Sequence, residues 1–94
     1  MPPPGFEWDP EKARTNILKH SISFDDAVLA WRDPLFLDVD DDRQDYGEPR
    51  TNRIGMSFGR LFTVCYTDRG SNIRVLSARK ATRREHELYY KTPR

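Results

Sequence analysis

The chain has a single cysteine, Cys65, in 94 residues, which excludes an internal disulfide and any metal site built on several thiolates. Nowhere do eighteen apolar residues run together, so no segment is suited to cross a membrane as a helix. The opening Met1-Pro2-Pro3-Pro4-Gly5-Phe6-Glu7-Trp8 lacks the basic start and apolar stretch of an export signal, and a cytoplasmic protein is expected. There are only two histidines, and no His, Cys or carboxylate spacing suggests zinc, so neither a metal nor a cofactor is expected. Apart from the N-terminal prolines there is no low-complexity segment and no internal repeat. The length suits one small domain, residues 6–94, preceded by an extension over 1–5.

Charge is present in quantity, as sixteen Lys/Arg and fifteen Asp/Glu, and its placement says more than the net +1. Residues 1–49 carry 5 basic and 12 acidic side chains, a net −7, whereas residues 50–94 carry 11 basic and 3 acidic, a net +8. A basic half of this kind attracts phosphate without reading sequence and points to nucleic acid or another acidic partner. The acidic half includes Asp38-x-Asp40-x-Asp42, the opening of a calcium loop. That match fails at Arg43, where the turn needs Gly, and at Pro49, where a bidentate Glu belongs, leaving a solvated or partner-facing loop as the expectation.

Local signals give a coarse layout. Phe6–Trp8 reads as a short strand, and Asp9-Pro10 as N-cap and first residue of a helix reaching about His20 with a narrow apolar stripe of Ala13, Ile17 and Leu18. Ser23 with Asp26 opens a second helix presenting Phe24, Ala27, Val28 and Trp31, and Asp33-Pro34 closes it. Leu35–Val39 is a short strand, and Asn52–Phe58, Leu61–Thr67 and Asn72–Ala78 form an antiparallel meander across two short turns. Thr82 and Glu85 have capping-box spacing before a final helix carrying Leu88, Tyr89 and Tyr90. The expected fold is α+β, a curved antiparallel sheet with two N-terminal helices and one C-terminal helix.

Metal-free cleavage of RNA needs an acceptor for the 2′-hydroxyl proton, cations for the crowded phosphorane and a proton for the leaving oxygen. His20, beside Lys19 at a helix C-terminus, and Glu48, in Gly47-Glu48-Pro49-Arg50, are the acid–base candidates. Arg69 follows the central strand, and Arg79-Lys80 end the next strand just before a helix N-terminus that itself favours anions. Each arginine reads equally as a surface cation, His20 as a helix cap and Glu48 as a loop ion pair. His86 reads as a surface residue and Trp31 as core. One of Tyr89 and Tyr90 is expected to pack on the sheet and the other to face a ligand.

The string Phe6-Glu7-Trp8-Asp9-Pro10-x-Lys12-x-x-x-Asn16-x-x-Lys19-His20-x-Ile22-Ser23-Phe24 resembles the N-terminal signature of the BrnT family of toxins from bacterial type II toxin–antitoxin modules. The resemblance continues through Gly47-Glu48-x-Arg50, Ile54-Gly55, Tyr66-Thr67-x-Arg69-Gly70 and Arg74-x-x-Ser77-Ala78-Arg79-Lys80-Ala81-x-x-x-Glu85, and so spans the chain from Phe6 to about Tyr90. It implies a RelE-like ribonuclease fold, RNA cleavage without metal, and neutralisation by a BrnA-like antitoxin with a ribbon-helix-helix DNA-binding domain. Two toxins and two antitoxins would then repress their own operon, the operator DNA being reached only through the antitoxin. By motif, the implied catalytic residues are His20, Glu48, Arg69 and Arg79, and the implied RNA contacts are Lys19, Arg50 and Lys80, with Arg83 beside them. The alternative from another class is a non-catalytic nucleic-acid-binding module, or an inactive toxin serving as corepressor.

Overall fold

The structure is a computed structural model that describes residues 2–41 and 47–93. The elements are β1 (Phe6–Glu7), α1 (Pro10–His20), α2 (Phe24–Ala27), β2 (Leu37–Asp40), β3 (Thr51–Ser57), β4 (Arg60–Arg69), β5 (Asn72–Lys80) and α3 (Arg83–Lys91). They form an α+β arrangement around one five-stranded sheet in the order β1-β5-β4-β3-β2.

The helix starts follow from local chemistry. Asp9 accepts from the Glu11 amide at 2.9 Å, with Pro10 next, and Ser23 Oγ accepts from the Asp26 amide at 3.1 Å. Thr82 and Glu85 complete a reciprocal capping box, at 3.2 and 2.8 Å. Phe58 and Gly59, both at positive φ, make the two-residue turn between β3 and β4.

Two expectations about the helices are corrected. Instead of a second full helix, the four residues of α2 run on into a 3₁₀ segment at Val28–Arg32. Both ends of this stretch are tied, by the Ser23 cap and by Asp33, which accepts from the amides of Leu35 and Met56 and from the Tyr89 hydroxyl. A 3₁₀ winding advances about 2.0 Å per residue rather than about 1.5 Å and so lengthens a short segment held between fixed points. In α1, Ile17 and Leu18 face solvent, 49% and 81% exposed, while the polar Asn16 is buried.

The sheet is also mixed rather than wholly antiparallel, because β1 pairs parallel to β5 through Phe6 opposite Ile73 and Glu7 opposite Arg74. No hairpin turn joins these strands. The packing of Phe6 edge-on to Trp31, with ring centroids 5.3 Å apart, helps hold β1 in place.

One sheet face carries the main core, with Ile22, Phe24, Ala27, Val28 and Ala30 packed on Phe62, Val64, Val75 and Ala78. Gly55 lies under Ala30 so closely that a Cβ there would stand 3.0 Å from both the Ala30 Cβ and its carbonyl oxygen. A smaller cluster of Ile54, Leu61 and Tyr89 lies on the other face, where α3 covers only one end of the sheet. The rest of that face is polar, and it positions the site.

Candidate nucleic-acid interface

Side chains alternate between faces along a strand, so Leu61, Thr63, Cys65, Thr67 and Arg69 of β4 share the face that bears α3. Pairing with β5 brings Arg79 opposite Thr63, Ser77 opposite Cys65, Arg74 opposite Thr67 and Asn72 opposite Arg69. From β3, Ile54 lies opposite Thr63 and Asn52 opposite Cys65. The basic half of the sequence thereby sets cations at the two ends of this face, with the Thr63 and Thr67 hydroxyls buried between them.

At the end of the face far from α3, the loop before β3 folds against the C-terminal part of β4. Thr67 Oγ1 donates to the Pro49 carbonyl at 2.6 Å, and Arg69 Nη2 meets Glu48 Oε1 at 3.4 Å. Next to them Arg74 pairs with Glu7 at 2.7 Å. The Glu7 carboxyl is held below its ordinary value by hydrogen bonds from Arg74 and then Asn72, helped by the Arg74 and Arg69 charges. Arg50 is half-buried in the same loop, its carbonyl accepting from the Asp41 amide at 2.9 Å.

At the other end Arg79 grips Glu85 with two nitrogens, at 2.7 and 3.0 Å, and Thr63 Oγ1 and the Thr82 amide also donate to that carboxylate, at 2.9 and 2.8 Å. Burial pushes the Glu85 carboxyl up, but the bonds from Arg79, Thr82 and Thr63 outweigh it and hold the group at about 2. Glu85 is therefore an anchor for Arg79 and not a proton acceptor near neutrality. A depressed carboxyl stabilises the fold above its unfolded value, ordinarily 4.5, and loses that contribution as pH falls through about 2. The stability gap between the parent and Glu85→Gln, measured by urea denaturation, is expected to be constant above pH 4.5 and to close toward pH 2. A gap independent of pH would refute this account.

The candidates read from the sequence do not all meet. Six residues of extended β4 separate Arg69 from the position opposite Arg79, about 20 Å, so the two arginines do not converge on one phosphate. Lys19 and His20 are exposed on α1 and line a shallow pocket of about 230 Å³ with Lys12, Thr15, Leu76 and Ser77, away from Glu48. Lys80 and Arg83 are exposed beside Arg79. Glu48 and Arg69 are the pair that the fold brings into contact.

The acidic run is not simply a solvated loop. Asp38 accepts from Arg53 Nε and Nη2, at 2.8 and 2.9 Å, and from the Tyr66 hydroxyl at 3.0 Å. That guanidinium lies over the Phe36 and Trp31 rings, 3.8 and 4.6 Å from their centroids. Asp41 is buried, with Cys65 Sγ donating to it at 3.8 Å, whereas Asp40 is exposed. Asp42 and Arg43 lie outside the described residues. Trp31 and Tyr89 pack as expected, and Tyr90 is 63% exposed.

Sequence reasoning missed Arg74 as a member of the Arg69 cluster and Arg60 and His86 as pocket residues. Period-two spacing from Asn72 held the signal for Arg74, while nothing local signalled the others. Among the described residues no three His, Cys, Asp or Glu side chains gather closely enough to hold a metal ion. No helix there is long and apolar enough to cross a membrane.

A family model described as "Ribonuclease toxin, BrnT, of type II toxin-antitoxin system" matches residues 8–85. No curated protein matches the chain.

Proposed function

The chain belongs to the BrnT family, the ribonuclease toxins of type II toxin–antitoxin systems, and on that premise we propose that it cleaves RNA without a metal, with Glu48 and Arg69 at the reacting phosphate. Family membership makes RNA its substrate and an antitoxin its partner. The observation that carries the finer reading is the meeting of Glu48 and Arg69 at 3.4 Å across 21 residues of sequence.

In this reading a single RNA strand lies along the polar sheet face. Glu48 accepts the 2′-hydroxyl proton, the 2′-oxygen attacks the adjacent phosphorus, and Arg69 stabilises the charge on the phosphorane. The bond from phosphorus to the 5′-oxygen breaks and that oxygen takes a proton from solvent, leaving a 2′,3′-cyclic phosphate and a 5′-hydroxyl. Arg50 supplies further positive charge beside the pair. Arg79, Lys80 and Arg83 hold the strand farther along, and Lys19 and His20 flank it from α1. The fold is read as RelE-like, in one domain over 6–94. The antitoxin is read as a ribbon-helix-helix protein assembling two with two and carrying the complex to its operator.

Incubating the purified protein with RNA in EDTA tests the chemistry. Fragments ending in cyclic phosphate are expected, and loss of cleavage on chelation would remove the metal-free claim. Expression of the chain alone should arrest growth, with relief by its antitoxin. A harmless protein that still joins an operator complex would favour the corepressor reading instead.

A further inference from the structure

The polar face ends in a pocket that the Glu48–Arg69 chemistry does not use. It lies between the β3–β4 turn, the end of β5 and α3, with a volume of about 470 Å³, within the range of small-ligand sites. Met56 and Leu61 contribute an apolar floor, Arg60 and Lys80 bring two cations, and His86 and Tyr90 supply aromatic walls. Among the described residues no carboxylate lines it. His86 and Tyr90 are stacked with an interplanar angle of 24°, and Tyr90 is propped edge-on by the buried Tyr89, ring centroids 5.0 Å apart.

An apolar floor, two cations and an exposed, supported ring are complementary to a nucleotide. The ring offers stacking for any base, and the cations match its phosphate. We propose that this pocket binds one nucleotide of a single RNA strand, its base against Tyr90 and its phosphate between Arg60 and Lys80. The inference rests on the proposed placement of RNA along the polar face and adds a subsite to it. Leu61 is eight residues of extended β4 from Arg69, about 26 Å, so the bound nucleotide lies several positions from the cleaved bond. The subsite would fix which bond reaches Glu48 by gripping the strand at a distance.

The test measures binding of a 2′-O-methyl oligonucleotide, which cannot be cleaved through its 2′-oxygen, to the full chain and its variants. Tyr90→Ala is expected to weaken binding about tenfold, in the range of a lost base–aromatic stack, with Tyr90→Phe restoring it. Arg60→Ala should weaken binding and lower the salt slope by about 1, as a lost phosphate contact does, whereas Tyr90→Ala should leave that slope unchanged. A mononucleotide titrated alone distinguishes the free ligand from the strand: the strand should bind more tightly because it also contacts the rest of the face. Both substituted residues are exposed, and circular dichroism checks that the variants fold. Folded Tyr90→Ala and Arg60→Ala proteins that bind within twofold of the parent would overturn the subsite even if the parent cleaves RNA. Weakened binding in the two folded variants, beside a parent that binds the oligonucleotide but cleaves no RNA, would uphold the subsite and overturn the proposed cleavage.

Discussion

Arg69→Ala is expected to lower the single-turnover rate of RNA cleavage by about 10²–10³-fold, the usual effect of removing one donor aimed at developing negative charge. Glu48→Gln should cost a comparable factor, within the roughly 10²–10⁴-fold range for a lost general base. The contact between the two residues predicts that the double variant loses far less than the product of the single losses, because groups acting as one unit are not additive. Arg79→Ala is expected to act differently. The strand register places Arg79 about 20 Å of backbone away and Glu85 holds its guanidinium at 2.7 Å, so the substitution should raise the RNA concentration needed while leaving the saturated rate nearly intact. Rates at saturating and limiting RNA separate the two behaviours. If Arg79→Ala or His20→Ala abolished the chemical step while Arg69→Ala spared it, the reacting phosphate would have to be moved to the α1 or α3 end of the sheet.

Asn16→Ala should produce the largest loss of stability. Among the described residues β1 covers β5 only at Ile73 and Arg74, which leaves the outer edge of β5 without a strand neighbour farther along. Asn16 takes the neighbour's place: its Nδ2 donates to the Ala78 carbonyl at 2.8 Å and to the Ile22 carbonyl at 3.0 Å, and its Oδ1 accepts from the Ala78 amide at 3.1 Å. Removing the amide strands three buried backbone groups, each worth about 1–3 kcal/mol when unsatisfied. A net loss of about 3 kcal/mol is expected, on the order of 15 °C in Tm for a domain of this size. Ile17→Ala, at a neighbouring position that is 49% exposed, is the control and should change stability little. Equal losses in the two variants would mean that the amide contributes nothing special.

These two expectations differ in how far the sequence anticipated them. Glu48 and Arg69 were legible as candidates because each sits in a motif with turn residues around it, but their contact was not, since it depends on where the loop before β3 lands on β4. Asn16 was legible only as part of a pattern. Helical periodicity favours Ile17 and Leu18 as the buried stripe because it weighs hydrophobicity and cannot see an open sheet edge with unpaired amides. The distance between Arg69 and Arg79 was equally hidden: both follow strands in the sequence, and only the antiparallel register shows that they mark opposite ends of one hairpin.

What the sequence determined by itself is local. The caps at Asp9, Ser23 and Thr82, the presence of a tight turn after β3 though not its place at Phe58-Gly59, the uniformly buried run Leu61–Thr67 and the division of charge into an acidic and a basic half all follow from neighbours within a few residues or from composition. Tertiary structure decided the rest: the parallel docking of β1, the 3₁₀ continuation of α2, the rotation of α1 that buries Asn16, and the separation of the cations into a Glu48–Arg69 end and an Arg79–Glu85 end. The physical reason is common to them all. A buried backbone group or charge must find a partner, and for this chain some of those partners lie more than 60 residues away, beyond the reach of any local pattern.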